Sequence, residues 1–333
     1  MGELRWNPLL KTWTMVSASR QKRPNLPDNW CPFCPGDNKK LPPDYQVLKY
    51  DNDFPILTPT PSKPDIASSP LYKSAENYGK AEVILFSPNH TETFDKMSVP
   101  HIIKVINLWI DRFTELSSDK RIKYVFIFEN HGEEVGATIS HPHGQIYAFP
   151  YIPQKIDTEL QNSREYFTEN NECLICAITR EETAFKKRVV YENENFIAYI
   201  PFFTDYPYGV FVSPKKHIGI INGFDSNHKR DLADMIKNIT GAFETLFEKP
   251  FPYMMSFHQL PVNSETICPD AEKYYHFHIE FYPPLRSRDK IKFYASSEMG
   301  AWAAANPLCV EDTAIELSKA LQKFKSKTEV SDD

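Results

Sequence analysis

Two rhythms of apolar residues alternate along this chain. "AEVILFSPNH", residues 81–90, is a short apolar run closed by Ser-Pro and then a histidine, and it predicts a strand. Next, Ile102, Ile103, Ile106, Trp109, Ile110 and Phe113 recur three and four apart, which gathers them on one face of a helix. "KYVFIFEN" predicts a further strand, and "ISHPHGQIYAF", Ile139 to Phe149, follows it.

The succession then returns. "GVFVSPKKH" predicts a strand running to His217, and Leu232, Met235, Ile236, Ile239, Phe243 and Leu246 mark a second amphipathic helix. "YMMSFHQ" is a strand, and "YYHFHIEFYPP" ends the series with His276 and His278. Each series opens on a C-x-x-C pair, Cys31 and Cys34 in "WCPFCPGD" and Cys173 and Cys176 in "ECLIC". One order of features met twice indicates an internal duplication, joined near residues 155–170. The unequal spacings fall in loops, where insertions cost little.

Composition adds boundaries. A length of 333 residues allows two ordinary domains, divided here as 1–160 and 161–333, and 27 Pro against 11 Gly predict long, stiff connections. A net charge of -6 excludes a general nucleic-acid binder, which needs a basic stripe. Contacts to a phosphorylated substrate would have to be local. The first residues lack the apolar core of a signal peptide, and no run approaches the ~18 apolar residues of a membrane span. The expectation is a cytoplasmic protein with no membrane partner.

Strand side chains alternate, so His141, His143 and Gln145 point one way, as do His276, His278 and Glu280. Tyr275, Phe277, Ile279 and Phe281 then face the core. Pro142 cannot donate a ladder hydrogen bond, which predicts an edge strand or a local distortion.

Two thiolates and two imidazoles make a tetrahedral zinc set. Cys31, Cys34, His90 and His141 would supply one, and Cys173, Cys176, His217 and His276 the other. Filled four-ligand sites leave no open position, so both zincs would be structural. The blander reading, buried pairs of small apolar side chains, suits one C-x-x-C better than two in matching contexts. A thioredoxin-like role lacks its βαβ setting.

If His141 is a ligand, His143 remains. A strand histidine is usually packed or hydrogen-bonded at the surface, but a neutral imidazole is also a competent nucleophile that can carry a phosphoryl group. Gly144 would let a ligand approach the backbone, and Gln145 is a same-face donor. His258 reads as packing at a strand end, His101, His131 and His228 as surface residues, and the tail "KSKTEVSDD" as disordered.

"NDFPIL", "FSPNHTETF", "FENHG", "HPHGQIYA" and "HIEFYPPLRS", in this order, resemble landmarks of the galactose-1-phosphate uridylyltransferase family of the histidine triad superfamily, along nearly the whole chain. The resemblance implies an α+β fold of two histidine-triad-like repeats, a mainly antiparallel sheet flanked by helices, and a homodimer. It implies ping-pong transfer of UMP from UDP-glucose to galactose 1-phosphate, with His143 as nucleophile and Gln145 on the transferred phosphoryl group. Asn52, Asp53 and Asn130 resemble nucleoside contacts, Arg20, Arg23 and Thr138 phosphate contacts, and Lys292, Phe293 and Glu298 sugar-phosphate contacts supplied across the dimer. For the second metal two sets stand side by side: zinc on the Cys173 set, or iron on Glu159, His258, His276 and His278. Ser297 stands where the family has a tyrosine, and no glutamine follows Glu298 before Gln322. An NDP-sugar phosphorylase is the alternative enzyme, and a zinc-stabilised nucleotide-binding protein the alternative class.

Overall fold

In the computed structural model, which describes residues 2–18, 30–36, 41–64 and 69–331, the chain opens with the hairpin β1 (Gly2–Asn7) and β2 (Thr12–Ser17). Then come β3 (Leu48–Asp51), β4 (Ser74–Glu76), β5 (Lys80–Leu85), helix α1 (Val99–Ser117), β6 (Tyr124–His131) and β7 (His143–Phe149). Helices α2 (Gln154–Asn170) and α3 (Leu174–Phe185) lead to β8 (Val189–Glu192), β9 (Phe196–Tyr199) and β10 (Val210–Pro214). After α4 (Ser226–Leu246) follow β11 (Tyr253–His258), the short α5 (Ala271–Tyr274) and β12 (His278–Tyr282). The ribbon β13 (Leu285–Ser287) and β14 (Lys290–Ile291), then α6 (Ser296–Ala301) and α7 (Val310–Ser331), complete it.

Nine strands make one antiparallel sheet in the order β3-β5-β7-β6-β11-β12-β10-β9-β8. Its seam is β6 against β11, where Glu129 pairs with Met255 and Phe128 with Ser256. Outward from the seam the order is β6, β7, β5, β3 on one side and β11, β12, β10, β9 on the other. The duplicated sequence thus folds into two like halves that share a sheet.

The sheet decides between the two readings of Pro142, an edge strand or a local distortion, against the edge. β7 is an interior strand, flanked by β5 and β6, and it begins only at His143. Pro142 sits in the interruption just before it, where its carbonyl accepts from the Phe86 amide at 3.0 Å. The missing N–H is tolerated because the ladder has not yet started.

Helices α1 and α4 cover one face. Ile102, Ile106, Trp109 and Phe113 of α1 and Leu232, Ile236, Ile239 and Phe243 of α4 bury in a single cluster with Ile84, Ile146, Phe257 and Phe281. Full burial of each such side chain contributes roughly 1.5–3 kcal/mol. Ser98 caps α1 through the His101 amide (3.3 Å), and Asp225 caps α4 through the amides of Asn227 and His228 (2.9 Å each). An ion pair pins α1 to β5: the Arg112 guanidinium meets Glu82 through two 2.8 Å bonds, both side chains buried. On the opposite face, Ile156 and Leu160 of α2 pack with Tyr124, Tyr147, Phe149 and Tyr275. Tyr275 joins this layer because it precedes β12, while Phe277, Ile279 and Phe281 face the helices.

Two further expectations change. The tail is helical to Ser331, since Ala314, Leu317, Leu321 and Phe324 of α7 bury against α4. Gly241 permits that approach: a Cβ there would lie 2.4 Å from the Phe324 ring. His228 is buried, its Nδ1 bonded to Asp225 at 2.7 Å and its ring stacked on Phe224.

Candidate active site and metal centres

Cys31, Cys34, His90 and His141 converge from a loop, the turn after β5 and the approach to β7, with their ligand atoms all within 4.8 Å of one another. His141 Nδ1 lies 3.7 Å from each sulfur, and His90 Nδ1 lies 3.4 Å from Cys34 Sγ. The outer nitrogens are occupied: His141 Nε2 donates to the Ser87 carbonyl at 2.8 Å, and His90 Nε2 meets the Ser140 hydroxyl at 3.0 Å. With its proton on Nε2, His141 turns the Nδ1 lone pair toward the sulfurs, the arrangement of a metal-binding imidazole. Burial pushes the His141 pKa down to about 4, which keeps the ring neutral. The Tyr45 hydroxyl donates to the Phe33 carbonyl at 2.7 Å and stands 3.1 Å from His141 Nε2.

The second half repeats the arrangement. Cys173, Cys176, His217 and His276 bring their ligand atoms within the same 4.8 Å. Cys176 Sγ lies 3.3 Å from His217 Nδ1 and 3.2 Å from His276 Nδ1. Their Nε2 atoms donate to the carbonyls of Glu272 (2.8 Å) and Pro214 (3.0 Å). A hydrogen bond from Cys176, helped by the two imidazoles, holds the Cys173 thiol far below its usual range. Both donor sets suit a thiophilic tetrahedral ion.

His143 opens β7, and its Nδ1 donates to the His141 carbonyl at 2.7 Å. That bond fixes the tautomer and leaves the lone pair on Nε2. Phe33 lies beside the ring, with centroids 5.4 Å apart. His143 lines a cavity of about 640 Å³ together with Trp30, Asn130, His131, Thr138 and Ile139. Gly144 serves packing rather than ligand approach: a Cβ would lie 2.7 Å from the Phe86 ring and 2.9 Å from the Phe128 carbonyl. Gln145 shares the strand face of His143 but not the cavity wall, and its amide oxygen accepts from the Tyr147 hydroxyl at 3.2 Å.

The remaining sequence candidates divide. Asn130 and Thr138 line the His143 cavity. Asn52 and Asp53 follow β3, where Asn52 accepts from the Phe54 amide at 2.9 Å and Asp53 from the Tyr50 hydroxyl at 2.7 Å. The Tyr50 ring packs on Phe33, which ties that segment to the His143 surroundings. Lys292, Phe293 and Glu298 line a different, open cavity, with Lys292 Nζ 3.9 Å from Glu298 and bonded to the Asp205 carbonyl at 2.7 Å. Arg20 and Arg23 lie outside the described residues.

The iron set is corrected. His276 stands with the Cys173 group, so it does not join Glu159, His258 and His278; Glu280 takes that place. β12 starts only at His278, and from there His278 and Glu280 alternate onto the face of Glu159. His258, expected to be packing, donates to Glu159 at 2.8 Å. Sequence reasoning missed Tyr45, for which no spacing signal exists, and Glu129. The latter is buried in the His143 cavity wall, accepts from the Tyr253 hydroxyl at 3.2 Å, and is pushed up to about 7 by burial.

Fold and site together define a duplicated α+β protein built around a strand-borne imidazole suited to group transfer. Residues 2–153 match the N-terminal domain of galactose-1-phosphate uridyl transferase and residues 159–328 its C-terminal domain. The galactose-1-phosphate uridylyltransferase of Thermotoga maritima is 40% identical over 318 residues, covering 95% of this chain and 98% of that protein. That of Saccharomyces cerevisiae is 34% identical, covering 89% and 88%. A solved uridylyltransferase structure superposes with a TM-score of 0.87 at 30% identity, over 96% of this chain and 99% of that one. An Arabidopsis thaliana ADP-glucose phosphorylase with bound ADP-glucose shares the fold, with a TM-score of 0.74 at 24% identity over 96% and 99%. The chain belongs to the galactose-1-phosphate uridyl transferase family.

Proposed function

We propose that this enzyme exchanges UMP between UDP-glucose and galactose 1-phosphate through a uridylyl-histidine. The observation that carries the reading is the His143 imidazole, its Nδ1 bonded to the His141 carbonyl at 2.7 Å, in the wall of a cavity of about 640 Å³. The Nε2 lone pair attacks the α-phosphorus of UDP-glucose, the bond to the bridging oxygen breaks, and glucose 1-phosphate leaves with the electron pair. Galactose 1-phosphate then attacks the same phosphorus, and the N–P electrons return to His143. Gln145 and Thr138 contact the phosphoryl oxygens, Asn52, Asp53 and Asn130 the nucleoside, and Arg20 and Arg23 the phosphates.

A homodimer supplies the sugar-phosphate contacts. Lys292, Phe293 and Glu298 line a cavity apart from His143, and Phe293 is 75% exposed, which suits a residue offered to a partner subunit. Two zinc ions fit the Cys-His groups, where each would crosslink loops to the sheet and the first would hold His141 in place. The halves, 1–160 and 161–333, then divide the work between nucleophile and sugar contacts. The net charge of -6 and the C-x-x-C pairs gathered in metal-type groups suit a cytoplasmic enzyme. Among the described residues no helix is long and apolar enough to cross a membrane.

The test is intact mass after mixing with UDP-glucose alone, with glucose 1-phosphate assayed in the same tube. A uridylyl-sized, acid-labile adduct with stoichiometric release is expected. Galactose 1-phosphate should discharge it and inorganic phosphate should not; discharge by phosphate alone would make the enzyme a phosphorylase. No adduct and no release would remove the proposal.

A further inference from the structure

The cluster of Glu159, His258, His278 and Glu280 does not line the His143 cavity. Two carboxylates and two imidazoles with ligand atoms within 4.8 Å of one another would ordinarily attract a divalent ion. A fifth side chain changes the charge count. Lys155 lies one helical turn before Glu159 on α2, so both extend from one face. Its ammonium reaches Glu280 Oε2 at 2.5 Å and the Tyr282 hydroxyl at 2.7 Å, and stands 4.0 Å from Glu159 Oε1.

The carboxylates are also satisfied internally. Glu159 Oε2 accepts from His258 Nδ1 and from the Tyr275 hydroxyl, each at 2.8 Å. Glu280 Oε2 accepts from the Tyr282 hydroxyl as well as from Lys155, and its other oxygen faces His278 Nε2 at 3.3 Å. A dication placed here would have to take those oxygens from four donors while facing an ammonium only one hydrogen bond from the same carboxylate. Like charges that close repel, and the Glu280 side chain between them is only 3% exposed, although Lys155 reaches it from the surface with 57% of its own side chain exposed.

We propose that the Lys155 ammonium is the resident cation of this cluster, in place of a metal ion, so that the protein carries no nitrogen- and oxygen-ligated metal there. The second half then keeps the histidine strand of the first but closes it with a lysine-carboxylate lattice. This inference is independent of the transfer reaction.

The test strips the full-length protein with a chelator, reloads it with Co²⁺, and counts the metal whose spectrum lacks thiolate charge-transfer bands. The count is expected to be zero per chain in the wild type and one in Lys155→Met, which keeps the length of the side chain and removes its charge. Lys155→Arg should stay at zero. One such ion in the wild type, under Co²⁺ or Fe²⁺ loading, would overturn the proposal without any variant. So would a count of zero in a folded Lys155→Met protein.

Discussion

His143 donates its Nδ1 proton to the carbonyl oxygen of His141, two residues earlier, across 2.7 Å. The bond joins two different tasks. His141 turns its own Nδ1 to the Cys31 and Cys34 sulfurs, so whatever fixes that ring also fixes the acceptor that orients His143. The same bond recurs from His278 to His276 at 3.1 Å, but there the free nitrogen faces Glu280. One half presents its imidazole to a cavity and the other engages it with a carboxylate.

Replacing His143 with Gly removes the only imidazole that this strand offers to the cavity. Transfer from UDP-glucose should fall by at least about 10³-fold, and the covalent adduct should vanish from the mass spectrum. Far-UV circular dichroism should be unchanged, because the ring is not part of a core cluster. Undiminished turnover would move the chemistry to another residue.

The two Cys-His groups should be separable. Cys31→Ser and Cys173→Ser each lose one thiolate from a four-atom set, and each should lower the midpoint of thermal unfolding and release metal to a chelator more readily. Only Cys31→Ser should also reduce turnover, since its group holds His141 and through it His143. Equal loss of turnover in both variants would mean that the halves are coupled more tightly than the bonding shows.

Tyr45 supports the first group from behind. Tyr45→Phe removes the 2.7 Å bond to the Phe33 carbonyl and the hydroxyl beside His141 Nε2. The expected cost is about 1 kcal/mol of stability and roughly 10-fold or more in metal retention, read by competition with a chromogenic chelator. A variant with wild-type retention would show that the Ser87 carbonyl alone orients His141.

Most of this architecture is legible in the chain because it is periodic or repeated. The stripes of α1 and α4 and the C-x-x-C pairs carry their spacing with them, and the fold leaves each where the pattern puts it. Features that depend on which strand lies beside which are not legible. Pro142 suggests an edge until β5 and β6 are seen to flank β7, and His276 and Glu280 exchange roles because β12 starts two residues after His276. Tyr45 and Lys155 act across long sequence separations, for which a single chain offers no period.

Glu129 predicts a pH effect. Burial raises its pKa from 4.5 to about 7, so between those values the native state binds a proton that the unfolded chain releases. Its contribution therefore falls as pH rises from 4.5 to about 7 and is constant above, by about 3 kcal/mol at most. Glu129→Gln keeps an acceptor for the Tyr253 hydroxyl and removes the titration. The variant should match the wild type near pH 4.5 and exceed it near pH 8, measured by denaturant unfolding at each pH. Parallel curves would remove Glu129 as the cause.

The Arg112–Glu82 pair predicts an asymmetry between single and double substitution. Glu82 has 0% exposure, and its carboxylate takes both 2.8 Å bonds from the guanidinium. Arg112→Met leaves that carboxylate buried opposite nothing stronger than Lys49 at 3.9 Å, and should cost about 3–5 kcal/mol. Arg112→Met with Glu82→Leu removes both charges and fills the space with apolar groups, so most of the loss should return. Denaturant midpoints of the wild type, the two single variants and the double variant close the cycle. If the double variant is as unstable as Arg112→Met alone, α1 is held to β5 by the geometry of the pair rather than by the need to neutralise Glu82.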